Sequence, residues 1–394
     1  MNTIVPEGYK QTKVGVIPED WEVVKLGEVL NEKPKYGINA RAVEYSNSLP
    51  TYIRITDIDT DGNFNPDKKV SVDNKDYRSF ILKENEIVFA RTGATVGKSY
   101  LYNKKDGELV YAGFLIKVAP NIEKLNSVFL KNFTDTSQYW KWIQLMSARS
   151  GQPGVSGNEY SIMPIPLPSL KEQEKIAEIL TTWDETITKQ EELIKAKELQ
   201  KKGLMQKLLS GEVRFSGFSG EWETFEFEEI FERVPSKKYQ INSNEYQEFG
   251  KYPVIDQGKK LIIAYSNNEE KLYKNSSIIV FGDHTRELKY IDFDFIIGAD
   301  GTQLIKTKDM FDNKFFYYNL LIKNIPNTGY NRHFKFLLEM NFDTPSLPEQ
   351  QKIAEVLSLA DDEINLLQNE LAELKQQKKG LMQKLLTGKV RVKV

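Results

Sequence analysis

Residues 201–214 read KKGLMQKLLSGEVR, and residues 378–391, 177 positions later, read KKGLMQKLLTGKVR. The register holds back to Pro168 and Pro345, where PSLKEQEKIAEIL stands against PSLPEQQKIAEVL. The longer stretches ahead of each copy, 1–167 and 215–344, share only a thin skeleton, such as DWEVVKLGEVL at 20–30 against EWETFEFEEIF at 221–231. A repeat constrains architecture before any other feature does. The common part reads as scaffold and the divergent part as what the scaffold presents.

The repeated segments carry the spacing of long helices. In the first copy Ile176, Leu180, Trp183, Ile187, Gln190, Ile194, Lys197, Lys201, Leu204 and Leu208 alternate at three and four residues, the seam of a coiled coil. In the second copy Ile353, Leu357, Ala360, Ile364, Leu367, Leu371, Leu374, Lys378, Leu381 and Leu385 keep the same register. Pro168 and Pro345 precede the helices and Gly211 and Gly388 stop them. Rods of about 40 residues rise roughly 60 Å, and two with matching seams pack most simply on each other. A plain dimer zipper is the alternative. Gly203 and Gly380, inside the best-matched block, are costly in a zipper at about 1 kcal/mol each and predict a kink or close approach by another chain.

Between the rods, short β-rich runs at 51–55, 86–89, 277–281 and 293–297 alternate with turn clusters, the pattern of mixed domains. The expected fold class is α+β. Two mixed domains, 1–167 and 215–344, alternate with helical segments at 168–214 and 345–394 in a pseudo-twofold repeat. The closing KVRVKV takes the place that in the first copy precedes the second domain, so the two chain ends are expected close together. With 394 residues, 40% of them hydrophobic, the chain has material for two or three cores. It contains no cysteine, which removes disulfides and zinc thiolates and fits a reducing compartment. No apolar run reaches membrane-spanning length, and the first residues lack an apolar signal core, so the expected location is the cytoplasm, with no membrane partner. A net charge of −2 argues against coating nucleic acid by bulk charge; binding of DNA has to be local or shared.

Several segments imitate functional motifs. DIDTDGNFNPDK at 57–68 opens like a calcium loop, yet its twelfth position is Lys68 where calcium needs a bidentate Glu, so an Asp-Gly turn is the better reading. GATVGKS at 93–99 has three residues between its glycines where a nucleotide-binding phosphate loop has four. Its glycines and Lys98 could instead meet a phosphate of another polymer. His284 and His333 are the chain's two histidines, each beside an arginine in a polar loop and without a metal-ligand partner at suitable spacing. No glycine-flanked nucleophilic serine and no adenine-methyltransferase signature is found, so no catalytic residues are assigned.

At this point the chain resembles the specificity subunit, HsdS, of type I restriction-modification systems. The two PSLxEQxKIAE…KKGLMQKLL(S/T)GxVR segments look like that family's central and distal regions, and GYKQTKVGVIPEDWEVVKLGEV at 8–29 is similar to its opening. SGQPGVSGNEYSIMPIPLP and NTGYNRHFKFLLEMNFDTPSLP, ahead of the helices, look like exits of its target recognition domains. The resemblance implies two such domains on antiparallel helices, each reading one half of a bipartite, asymmetric DNA sequence, with the helices fixing the spacer. It implies as partners double-stranded DNA, two methyltransferase (HsdM-type) subunits and restriction/translocase (HsdR-type) subunits. No cofactor is expected in this chain; S-adenosylmethionine, ATP and Mg belong to the partner subunits.

Within that reading the candidate DNA contacts are basic and amide-bearing loop residues. Arg91, Thr92, Lys98, Ser99, Arg149, Gln152 and Ser156 serve the first domain, and His284, Thr285, Arg286, Tyr330, Asn331, Arg332 and His333 the second. Arginine can bridge a guanine edge, and asparagine or glutamine can bridge adenine. The competing reading is a coiled-coil scaffold that presents two protein- or glycan-binding domains without nucleic acid.

Overall fold

Two helices, Leu170–Leu209 and Leu347–Leu385, organise the computed structural model, which describes residues 5–148, 152–274, 277–298, 300–329 and 331–393. Contacts divide the chain into two units, Met1–Lys189 with Leu371–Val394, and Gln190–Glu370. The division cuts both helices near their midpoints. Each unit therefore holds one mixed domain, the first half of the helix that follows it, and the last half of the other helix.

All the seam positions expected from spacing are buried or half-buried. In the first unit Ile176 and Leu180 share a core with Met382, Leu385 and Leu386, while Asp184 pairs with Lys378. Rising numbers on one helix meet falling numbers on the other, so the two segments are antiparallel. In the second unit Met205 and Leu208 share a core with Ile353 and Leu357, Lys201 pairs with Asp361, and Lys197 reaches Glu363 at 2.5 Å. Asp184 and Asp361 are 177 positions apart, as are Lys201 and Lys378, so each unit contains the same ion pair once.

The lysines that interrupt the apolar stripe thus find carboxylates. The glycines inside the helices are not explained by packing within the chain. A Cβ at Gly203 or Gly380 would meet no atom within 4 Å, so nothing within the chain demands either glycine. Gly211 and Gly388 do have a backbone role. Both take positive φ, +71° and +69°, and Val213 N–H and Val390 N–H donate back to Lys207 and Lys384 carbonyls, closing the helix ends.

The two mixed domains repeat one topology. In the first, a four-stranded antiparallel sheet runs Lys35–Tyr36, Leu115–Val118, Ile87–Ala90, Ser99–Leu101. In the second, the same order is built by Phe231–Val234, Thr302–Thr307, Ile278–Gly282, Leu288–Ile291. Each domain adds a second sheet, four-stranded in the first and three-stranded in the second, containing one parallel pair, Thr51–Ile53 with Leu109–Tyr111, and Tyr252–Ile255 with Ile296–Ile297. Entrance and exit strands also pair: Glu22–Lys25 with Pro164–Leu167, and Glu223–Glu226 with Asn341–Thr344. The expected closeness of the chain ends holds within the first unit, where Tyr9 donates its hydroxyl to Gly388 O at 2.9 Å and Arg391 binds Asp20. The helix Ser137–Ser147 belongs to the first domain alone.

Domain and rod are joined by the same buried glutamine twice. Gln173 Oε1 accepts Asn126 N–H at 2.9 Å, and its Nε2 donates to the Lys124 and Pro168 carbonyls. Gln350 Oε1 accepts Asp312 N–H at 2.8 Å, and its Nε2 donates to Pro345 O. Asn126 and Asp312 in turn cap the helices Ser127–Phe133 and Asn313–Ile322. Both glutamines are about 1% exposed, so truncation strands backbone groups away from water. Gln173→Ala and Gln350→Ala should each cost roughly 1–3 kcal/mol, read as a lower denaturant midpoint with unchanged slope.

Candidate nucleic-acid interface

In the first unit the central strand Ile87–Ala90 delivers Arg91 into a loop sewn to the domain's exit. Arg91 N–H donates to Phe114 O at 3.0 Å, and Val155 N–H donates to Arg91 O at 2.9 Å. Thr92 forms an isolated antiparallel bridge with Gly154, and Gly93 N–H reaches Pro153 O. The guanidinium of Arg91 lies 4.7 Å from the centroid of the Tyr36 ring. Tyr36 is held from the other side, since its hydroxyl accepts Gly157 N–H at 3.0 Å. Around this pair opens a cavity of about 670 Å³ lined by Asn39, Tyr52, Arg54 and Phe114 among others. Backbone crowding shapes its floor: a Cβ at Gly37 would fall 2.2 Å from Ala112 O.

Two arginines face this cavity with different commitments. Arg54 is clamped by Asp57, Nε to Oδ2 at 2.9 Å and Nη2 to Oδ1 at 2.8 Å, and these bonds hold its pKa above the usual arginine value. That pairing takes up the first carboxylate of the calcium-like segment, while Asp59 folds the rest into a turn by accepting Asp61 and Asn63 N–H. Arg91 carries no such partner among the described residues.

The structure redirects other sequence-based candidates. Ser99 is buried, its hydroxyl 2.6 Å from that of Thr134, which makes it a core residue and not a contact. Lys98 Nζ points to Ile58 O at 3.4 Å. Gly97 has φ +89°, Ile143 packs where a Cβ would stand, and the Gly97 carbonyl accepts the Tyr139 hydroxyl at 2.6 Å. The GKS loop is therefore wedged against the helix Ser137–Ser147, and its glycine serves packing. Ser156 caps the helix Gly157–Ser161 in a reciprocal arrangement with Glu159. Thr92 is half-buried and Gln152 exposed, both in the sewn loop. Arg149 and Tyr330 lie outside the described residues.

The second unit ties its strand end to its exit loop through Asp283, which is 2% exposed. Asp283 O accepts both His333 N–H at 2.8 Å and the His333 ring Nδ1 at 2.9 Å, and Asp283 Oδ1 accepts Phe334 N–H at 2.8 Å. His333 is fully buried and is thus a structural clasp, contrary to its assignment as a DNA contact. Arg332 and Asn331 beside it are exposed, the latter turned toward Thr328 O. Arg286 adopts φ +66° and donates to Ile325 O at 3.1 Å. His284 N–H and the Thr285 hydroxyl both bind Gln257, whose amide also donates to Asp300 O at 2.9 Å.

Gln257 belongs to the loop 256–261, DQGKKL, which sequence reasoning passed over. Its lysines 259 and 260 are exposed. Beneath them the buried ammonium of Lys289 donates to Asp256 O at 2.7 Å and Lys260 O at 2.6 Å. Burial pulls its pKa below the ordinary lysine value, against the nearby Asp256 carboxylate. Lys289→Met removes an ammonium that spans both ends of this loop. Limited proteolysis should then cut within 256–261 markedly faster than in the wild type, with cleavage elsewhere unchanged; an equal rate would show that Lys289 does not hold the loop.

Among the described residues no helix is long and apolar enough to cross a membrane, and no group of three or more His, Cys, Asp or Glu side chains is placed to hold a metal. Comparison with known proteins agrees with the duplicated fold. The type I restriction enzyme MjaVIII specificity subunit of Methanocaldococcus jannaschii is 28% identical, over 98% of this chain and 97% of the relative. The crystal structure of the type I restriction-modification S subunit from M. genitalium superposes with a TM-score of 0.60 at 17% identity, covering 93% of this chain and 96% of that one. A chain from a structural study of type I R-M system assembly and conformational transition aligns at TM-score 0.52 and 17% identity, covering 95% and 99%. Residues 18–198 and 219–376 match, one after the other, the family described as type I restriction modification DNA specificity domain. With both repeats matched over most of its length, the chain belongs to the type I restriction-modification DNA specificity family.

Proposed function

We propose that the chain is the DNA-reading subunit of a type I restriction-modification complex, with each unit's recognition domain reading one half of a bipartite, asymmetric target. The observation that carries this reading is the contrast between frame and loops. Frame contacts recur at a 177-residue offset: Gln173 and Gln350, Lys378–Asp184 and Lys201–Asp361. The residues that follow the central strands differ in kind, a half-buried Arg91 stacked on Tyr36 in one unit and a buried Asp283 bonded to the exit loop in the other. Half-site separation is a mechanical quantity, suited to a repeated frame, and base choice is a side-chain quantity, suited to divergent loops.

In this reading the long helices set the unspecified spacer and offer docking faces to two methyltransferase subunits, which restriction/translocase subunits can join. Methyl transfer from S-adenosylmethionine, and ATP- and Mg-dependent translocation and cleavage, take place in those partners. The absence of a recognisable nucleophile or methyltransferase signature in this sequence supports the assignment of catalysis elsewhere. The chain's net charge of −2 fits a subunit whose partners share the neutralisation of DNA phosphate. The cytoplasm, where chromosomal DNA and these partners meet, is the compartment the reading requires.

The direct test is single-molecule sequencing of DNA from a methylation-free host that carries the chain together with its neighbouring methyltransferase, against the same host without the chain. A methylated two-part motif that depends on the chain is the expected result. An assembled complex with no motif would favour a scaffold. Replacing residues 30–163 by the corresponding domain of another specificity subunit should change one half of the motif and leave the other half intact, again read by sequencing.

A further inference from the structure

We propose that Arg91 reads a guanine in the half-site taken by the first unit, and that Tyr36 is the positioning residue that aims it. This inference rests on the DNA-reading role proposed above and adds the base and the residues.

Arg91 is fixed at its root and uncommitted at its tip. Its backbone is bonded on both sides, to Phe114 O and from Val155 N–H. Among the described residues its guanidinium is placed by the Tyr36 ring alone, at 4.7 Å. The contrast with Arg54 in the same cavity is instructive, because Arg54's fork is already filled by Asp57. Stacking restricts a guanidinium through its face and leaves the edge N–H groups free to donate in its plane. Tyr36 can restrict it because the Tyr36 hydroxyl is itself anchored on Gly157 N–H, at the start of the exit helix. Tyr36 is 42% exposed and Phe114 59% exposed, so the pair stands at a surface and not in a core.

A planar donor pair held this way matches guanine, whose major-groove edge offers two acceptors, O6 and N7. Adenine offers N7 beside an N6 amino group, which sets donor against donor. The corresponding position of the second unit carries Asp283, buried and bonded to Phe334 N–H, so this arginine-based readout belongs to the first half-site only.

The test uses the assembled complex with its methyltransferase partner and duplexes in which each base pair of the sequenced motif is exchanged in turn. Arg91→Ala should lose about 10- to 100-fold of the preference for G·C over A·T at one position of one half-site, with the other half and subunit assembly unchanged. Tyr36→Ala should lose part of the same preference, and Tyr36→Phe, which keeps the ring, less. If Arg91→Ala weakens binding to all duplexes equally and lowers the salt dependence by about one ion, Arg91 is a phosphate contact and the inference fails. Preference unchanged at all positions also overturns it. Failure of the wild-type complex to select any motif would instead reject the DNA-reading role itself, and Arg91→Lys provides a second variant if Arg91→Ala does not assemble.

Discussion

A carboxylate buried at the start of each long helix is the constraint on which the rest of this structure depends. Glu172 and Glu349 are almost fully enclosed, and an isolated charge in such a place is far too costly to survive. Each is met by an arginine that follows the end of the other helix. Arg391 Nε and Nη2 bind Glu172 at 2.7 and 2.9 Å, and Arg214 binds Glu349 at 2.8 and 2.7 Å. In the first unit Trp21 adds its indole N–H to Glu172 Oε2 at 3.1 Å, and Asp20 shares Arg391, which holds the Asp20 carboxyl below the usual carboxylate range. Removing either partner leaves the other uncompensated, so helix start, helix end and domain entrance are specified together.

A frame anchored in this way separates two kinds of change. Residues of the loops that leave the central strands can differ in charge, as Arg91 and Asp283 do, because the strands beneath them keep the same pairing order. Each loop is nonetheless stitched to its own exit segment, through Thr92 and Gly154 in one unit and through Asp283, His333 and Phe334 in the other. Loop variation therefore moves as a linked set, central loop with exit loop. This arrangement preserves a rigid presentation of side chains while their chemistry changes.

Much of the frame was legible in the sequence. The apolar stripe gave both helices and their seam, and Gly211 and Gly388 gave their ends, because local spacing and backbone conformation decide these features. The crossing of helix halves between units was not legible, since a stripe shows which side is apolar and not which segment covers it. Depth was the other blind spot. Ser99 and His333 are polar residues in polar neighbourhoods, and only Thr134 and Asp283, distant in sequence, turn them inward. Tyr36 and Lys289 were missed for the same reason: KPKYGINAR and RELKYID carry no local motif, and their roles arise from Arg91, Gly157 and the 256–260 carbonyls.

The discontinuity of the first unit bears on how the chain is made. The second unit is a single uninterrupted segment, Gln190–Glu370, and can close once that segment has been synthesised. The first unit spans a sequence separation of 219 residues between Glu172 and Arg391, so its buried carboxylate waits until the whole of the second unit's segment and then Arg391 have left the ribosome. The unit that begins first in the sequence is thus completed after the one that interrupts it. During that interval Ile176 and Leu180 lack Met382 and Leu385, and the nascent chain presents an apolar helix face to solvent and to its neighbours on the same message.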